Sequence, residues 1–352
     1  MKEKIQQRVE RAIKEKVFPG CVIGVVYRNG DRRILPFGRF EYSADSNEVK
    51  GNTVYDVASI TKTIPLAIAA LMFIEKGLLS LEDRVIKYVP EISIADREKG
   101  LIRHLLTYTY TLKKNPNPNF SYEHSQVKDI FDFLFKRGFE FLPGTHYKYG
   151  NAPAVLLGIV LERVSGKKLY DLTKRMVLEP LKMIHSTFSP KDKKRIPPTE
   201  IVSWRGKVQG DVHDETSSIL QKAGFDSGCA GFFSNAADIL NVAEMMLGGG
   251  SFKGEKIFNS KTIECMRVNA LGAIGEYSGI GWELNQPRFM GNFSSENMIG
   301  RTGFTGTCCL VDVMRGVGVV ILSNRTFPKR PNNSEAIDLF RRDIVNIVID
   351  SV

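Results

Sequence analysis

Residues 21–37 read CVIGVVYRNGDRRILPF, two apolar runs hinged on Asn29-Gly30. β-Branched and aromatic side chains favour an extended backbone, and Asn-Gly supplies the positive-φ residues of a tight hairpin turn. The stretch predicts a β-hairpin of residues 21–27 with 32–37. So short a connection joins antiparallel neighbours only, because parallel strands need a crossover of about a dozen residues. A doubly wound nucleotide-binding sheet is disfavoured at the outset.

The flanks extend the same sheet. Upstream, Ile5, Val9, Ile13 and Val17 recur every fourth residue, an amphipathic helix that must stop before Pro19-Gly20. Far downstream, IGWELN at 280–285, GTCCLVDV at 306–313 and GVVILSN at 318–324 read as strands, with Arg315-Gly316 as a turn and a closing helix at 334–350. Between these ends helical periodicity dominates, at 64–76, 127–136, 152–164, 169–177 and 236–247. Loops rich in Pro, Asn and Gly separate the helices, notably KKNPNPNF at 113–120. The prediction is an α+β fold in a single catalytic domain, residues 1–352. An antiparallel β-sheet flanked by N- and C-terminal helices takes about 1–58 and 260–352, and a large, mostly helical lobe is inserted at about 59–259. A ligand site is expected in the cleft between the lobes.

Composition narrows the function. Hydrophobic residues at 43% and charged residues at 25% are those of an ordinary globular chain, with no repeat or low-complexity tract. The formal charge of +10 is spread along the sequence, with only short clusters such as KDKKR at 191–195 and no nucleic-acid recognition motif. Nucleic acid is therefore not expected as a partner, whereas a positive field would draw in a carboxylate-bearing small molecule. The opening MKEKIQQRVERAIKEK is too charged for a signal peptide, and no segment reaches the ~18 apolar residues of a membrane span. Five cysteines without metal or redox spacing read as reduced and packed, so a cytoplasmic location is expected. The five histidines are far apart and none has a His-x-x-x-His spacing, which leaves no metal site and no cofactor to expect.

Three short elements carry chemistry. In DVASITKT, residues 56–63, Ser59 and Lys62 stand three apart before an apolar run, so a helical turn sets the amine beside the hydroxyl. A serine at a helix start lies among unpaired N–H groups that stabilise an oxyanion. Lys62 accepts its proton only if burial and cationic neighbours lower its pKa from ~10.4. Alone, the pair equally fits a capping serine and a solvated lysine. In PGTHYKYGN, residues 143–151, Tyr149 is placed to shuttle a proton and Asn151 to hold Lys62 and a substrate carbonyl, or to cap the helix that follows. In GRTGFTGT, residues 300–307, Arg301-Thr302-Gly303 enters a strand. Gly303 would let that strand approach the substrate, and the Phe304 N–H would join that of Ser59 as an oxyanion hole.

Taken in order, these elements resemble the serine β-lactamase and penicillin-binding-protein superfamily, in particular its class C β-lactamase-like branch of esterases and D-amino-acid peptidases. That superfamily runs Ser-x-x-Lys, Tyr-x-Asn, Lys/His-Thr-Gly, and FPGCVIGVVYRNG, IRHLLT, PGTHYKYGN, VHDE and GCAGFFSNAADIL resemble its landmarks along nearly the whole chain. The resemblance implies acylation of Ser59, general-base work shared by Lys62 and Tyr149, and substrate positioning by Asn151, Arg301, Thr302 and Gly303. It implies a serine acyl hydrolase of small ester or amide substrates, a carboxylesterase or peptidase. The alternatives are a β-lactamase or D-alanyl-D-alanine carboxypeptidase, and a binding or sensor protein that keeps the fold without turnover.

Three departures stand out. Arg301 replaces Lys or His; arginine stays charged and binds carboxylates in a bidentate way but cannot relay a proton, and a salt bridge would block it. LLTYTYTL, residues 105–112, puts Tyr108 and Tyr110 where relatives have a His-Thr-Ser-Gly turn, so an aromatic pocket is expected there. Pro65 falls inside a helical run and predicts a kink. A Ser-His-Asp hydrolase built on His213 and Asp214 is disfavoured, since no Gly-x-Ser-x-Gly elbow exists.

Overall fold

The computed structural model describes residues 1–114 and 121–352. The hairpin is as predicted: β1 (Gly20–Tyr27) and β2 (Arg32–Gly38) pair antiparallel with Cys21 opposite Phe37, and Gly30 in the turn takes a φ of +89° that only glycine adopts freely. The sheet is completed by β3 (Glu283–Leu284), β4 (Met298–Thr302), β5 (Cys308–Asp312) and β6 (Val317–Ser323), in the order β2-β1-β6-β5-β4-β3. Every neighbouring pair is antiparallel, and Ile23 of β1 faces Ile321 of β6. The two ends of the chain thus meet in the middle of one sheet.

Both faces of that sheet are covered, which is why its central strands read as apolar runs rather than strict alternation. On one face Ile23, Val25, Val319 and Ile321 pack with Ile5 and Val9 of the helix Lys2–Lys14 and with Phe340 and Ile344 of Glu335–Ile349. On the other, Val22, Val26, Val320 and Leu322 join the larger core that includes the helix Ala236–Leu247. Glycines set that approach: a Cβ at Gly24 would stand 3.0 Å from Leu240, and one at Gly318 2.8 Å from Ala243. Residues 236–247, assigned from sequence to the inserted lobe, therefore lie on the sheet. Ile239, Leu240, Val242, Ala243, Met245 and Met246 are buried on several sides of the helix, the pattern of an element held between layers.

The expected helices Val127–Lys136, Ala152–Ser165 and Leu169–Thr173 are present, the last continuing as a wide turn, Lys174–Leu178. Of the 113–120 loop, residues 115–120 lie outside the described residues. The kink at Pro65 is larger than expected. Residues Ala58–Lys62 form one tight turn and Thr63–Ala67 a wide one, with Ile64 non-helical (φ −118°, ψ 112°) and the Ile64–Pro65 peptide cis; regular helix occupies only Ile68–Glu75. Contrary to the sequence reading, the helical run Ala58–Glu75 is long and apolar enough by composition to cross a membrane. It is 83% buried inside the fold, as a core helix is. The expected strand 280–285 shrinks to two residues because Gly281 (φ +79°) turns away: its N–H bonds Leu106 O (3.1 Å) and its carbonyl accepts from Thr63 Oγ1 (2.8 Å). All five cysteines are free, four of them buried.

Candidate active site

The segment carrying Ser59 is held before it turns. The buried Asp56 carboxylate accepts the N–H groups of Ala58 (2.8 Å) and His213 (2.8 Å), and burial nevertheless pushes its pKa up to about 6. Ala58 sits at φ +48°, a conformation that costs a non-glycine residue of the order of 1 kcal/mol. Ser59 follows, half-buried, in the tight turn Ala58–Lys62. The α-helix start expected at Ser59 is absent, since regular helix begins at Ile68. Oxyanion stabilisation here must rest on individual N–H groups rather than on a macrodipole.

The turn brings Lys62 Nζ to 3.0 Å from Ser59 Oγ, and the same ammonium donates to the Cys229 carbonyl at 2.7 Å. Lys62 is 2% exposed, so these contacts fix its position. The expected lowering of its pKa is not found. Burial pushes the ammonium towards neutrality, but electrostatic coupling to its acidic neighbours Tyr149, Cys229, Tyr108 and Asp214 outweighs it, and Lys62 lies above the usual lysine range. The nearest cation to its ring partner Tyr149 is thus a retained one: Lys62 Nζ lies 5.3 Å from the Tyr149 ring centre and Arg301 Cζ 5.7 Å. Tyr149 itself is 42% exposed, an accessible phenol bordered by two buried cations.

The turn between β4 and β5 is tied to the same segment. Thr305 Oγ1 donates to Asp56 O (2.8 Å) and Thr307 Oγ1 to Val57 O (2.9 Å). Gly303 is required at this join for a different reason than expected: a Cβ there would overlap Val57 O and Thr307 Oγ1, not a substrate. Phe304, between Gly303 and Thr305, is 44% exposed, and its N–H donates to no partner among the described residues. Thr302 ends β4 opposite Cys308 and is half-buried.

Asn151 precedes the helix Ala152–Ser165 but makes no side-chain cap; its Nδ2 donates to Asp214 Oδ2 (3.0 Å) rather than holding Lys62. Asp214 in turn caps Glu215–Lys222 through Ser217 N (2.8 Å). His213 is buried against the Phe304 ring, 5.6 Å between centres, and burial lowers its pKa to about 4. It is a packed neutral ring, and no Ser-His-Asp relay forms on it.

Arg301 is 1% exposed and pairs with Glu283 (Nη1 to Oε1, 2.9 Å), while its Nε donates to Thr63 Oγ1 at 3.0 Å. The salt bridge foreseen as an obstacle exists. Tyr108, at φ +56°, stacks obliquely on Tyr149 (5.0 Å) and lies 5.0 Å from the guanidinium; burial raises its pKa to about 12, against the Arg301 charge. Tyr110 is buried edge-on to Phe139 (4.8 Å). With Leu112, Ile130, Phe133, Tyr149 and Asn151 it lines a cavity of about 510 Å³. The sequence reading missed Cys229, whose contribution is a carbonyl, and Glu283, whose relevance appears only through Arg301. Asp214 was singled out for a triad and instead orients Asn151.

The Beta-lactamase family model matches residues 4–341. Among curated relatives, N-acetylmuramyl-L-alanine amidase of Bacillus subtilis (strain 168) is 27% identical, over 97% of this chain and 84% of its own. The fold is shared with EstCE1, a hydrolase with promiscuous acyltransferase activity (TM-score 0.76, 20% identity, 97% of each chain). It is also that of the octameric penicillin-binding protein homologue from Pyrococcus abyssi (TM-score 0.76, 22% identity, 99% of this chain and 77% of that one). Matched over nearly its whole length, the chain belongs to the beta-lactamase family and is, like the members of that family, a serine hydrolase.

Proposed function

We propose that the chain hydrolyses small esters or amides through an acyl-enzyme on Ser59, acting as a carboxylesterase or peptidase. The observation that carries this reading is the 3.0 Å contact between Lys62 Nζ and Ser59 Oγ, made by an ammonium whose other partner is a fixed carbonyl. A buried lysine held at hydrogen-bond distance from a half-exposed serine sets a proton-carrying group against a hydroxyl that substrate can reach.

For attack, the Ser59 proton must leave to a group with a free site. The Lys62–Tyr149 pair must therefore enter the cycle one proton short of its ammonium–phenol form, and the Ser59 proton fills that place by way of Lys62 Nζ, 3.0 Å from Ser59 Oγ. Ser59 Oγ then bonds the acyl carbon, the carbonyl oxygen takes the negative charge beneath the Ser59 and Phe304 N–H groups, and the proton held by the pair goes to the departing alcohol or amine. Water repeats the sequence on the acyl-enzyme, releasing the acid and restoring Ser59. Asn151, braced by Asp214, positions the acyl group, and the cavity beside Tyr149 receives its side chain.

Intact-mass measurement after incubation with a fluorophosphonate tests the nucleophile. The wild type is expected to gain one adduct and Ser59→Ala none; an adduct on Ser59→Ala, or full hydrolysis of nitrophenyl butyrate by that variant, ends the proposal. A second reading, hydrolysis of a D-alanyl-D-alanine bond or a β-lactam, is favoured by the likeness to a putative D-alanyl-D-alanine carboxypeptidase of Escherichia coli (strain K12). Comparing nitrophenyl butyrate, nitrocefin and a D-amino-acid amide decides between the two.

A further inference from the structure

Besides Lys62, the buried cation beside Tyr149 is Arg301, and it is fully paired. Arg301 sends Nη1 to Glu283 Oε1 (2.9 Å), Nε to Thr63 Oγ1 (3.0 Å) and Nη2 towards Gly281 O (3.4 Å). Its planar face is covered by Tyr108 at 5.0 Å and Tyr149 at 5.7 Å. Every edge of the guanidinium therefore points into the fold, and its charge is cancelled by a carboxylate that is itself buried. Glu283 is anchored from the other side by Arg288 Nη2 (2.9 Å), so swinging away would cost it both of its arginine partners. Separating such a pair in a buried site exposes two charges to a poor solvent, which no single hydrogen bond from a ligand offsets.

We propose that Glu283 is a specificity-determining residue: by occupying Arg301 it makes the site select uncharged acyl groups over substrates that carry a carboxylate. The proposal rests on the Ser59 reading and names its substrate class. It reverses the expectation drawn from the net charge of +10, because that charge acts at a distance and is screened, whereas Arg301 is neutralised on contact. The remaining cations beside the cavity do not replace it. Lys148 is paired with Glu140, and Lys114 is exposed at the margin, where a lone ammonium contributes little.

The test uses two esters with one leaving group, 4-nitrophenyl butyrate and mono-4-nitrophenyl glutarate, at about 0.15 M salt to screen the overall charge. The wild type is expected to favour the butyrate in kcat/KM by about tenfold or more, the penalty of an acyl carboxylate that finds no partner. Glu283→Gln, which removes the charge that cancels Arg301 and so leaves a net positive field beside Tyr149, should narrow that preference by about tenfold through the KM of the glutarate, and Glu283→Asp should restore it. A wild type that hydrolyses the glutarate as well as the butyrate overturns the proposal, whether or not Glu283→Gln folds. So does a folded Glu283→Gln with an unchanged ratio, or a glutarate preference that Lys114→Ala abolishes. Failure of fluorophosphonate to label Ser59 would instead sink the acyl-enzyme reading.

Discussion

Replacing Gly303 by alanine probes the join on which the proposed oxyanion hole depends. The added Cβ would fall under 3.0 Å from Val57 O, a main-chain atom that cannot rotate away, and from Thr307 Oγ1. Arg341 clamps the turn from behind, donating to Gly303 O (2.9 Å) and Thr307 O (2.8 Å), so the turn cannot relax into the core. It must lift from the Ser59 segment by about 1 Å, and displacement on that scale costs about 10²-fold in rate when it moves a catalytic donor such as the Phe304 N–H. Stability falls as well. Loss of the 2.9 Å Thr307–Val57 bond contributes about 1 kcal/mol and the overpacking about 1–3 kcal/mol. The expected result is therefore a folded protein, about 2–4 kcal/mol less stable to urea, with kcat for nitrophenyl butyrate down about 10²-fold and KM little changed. Gly138→Ala serves as the control, because a Cβ there meets only Lys113 Nζ at 3.9 Å, and should change neither quantity. A folded Gly303→Ala whose kcat stays within about threefold of wild type would refute the placement of the oxyanion hole at this turn.

Other perturbations read neighbouring parts of the site. Lys62→Met should lower kcat by about 10²–10⁴-fold with KM nearly unchanged, and a loss under tenfold in steady-state assays would show that Lys62 does not serve the proton transfer. Asp214→Ala removes both the brace on Asn151 and a helix cap, predicting about 1 kcal/mol of lost stability and a lower kcat/KM; Asp214→Asn, which can still cap, should recover the stability in urea titrations but not all of the activity. The buried, neutral His213 binds its proton less readily folded than unfolded, so its contribution is complete above pH 6.5 and is lost as pH falls towards about 4. At pH 5 that amounts to about 2 kcal/mol, and His213→Phe, which keeps the stacking on Phe304, should remove this part of the acid destabilisation measured between pH 7 and 5. Asp56 acts in the opposite sense: its raised pKa of about 6 means that its carboxyl favours folding most below pH 4 and loses that contribution as pH rises through 6, so it offsets part of the histidine effect.

Much of this was legible before any coordinates. The antiparallel sheet followed from the Asn29-Gly30 turn, the terminal helices from apolar spacing, and the order Ser59-Lys62, Tyr149-Asn151, Arg301-Gly303 from residue types alone, because hairpin geometry and helical period are local properties of the chain. Local signals also located Pro65 as a break, although not the extent of the two irregular turns around it. Composition misjudged the long-range terms. The helix Ala236–Leu247 was separated from the sheet it packs on, since apolar side chains on several sides reveal burial without naming the partner.

The charges of the site were beyond any reading of the sequence. Lys62 was expected to lose its proton on burial, yet its state depends on Tyr149, Cys229, Tyr108 and Asp214, which converge on it from segments as much as 167 residues away. Arg301 could be read either as a carboxylate binder or as blocked by a salt bridge, and only the fold put Glu283 against it. Residue types and local spacing fix which reactive groups this protein owns and the sheet that carries them. Which of those groups are paired follows from the fold alone, because a Coulomb partner acts through a few ångströms of space and a spacing along the chain does not encode it.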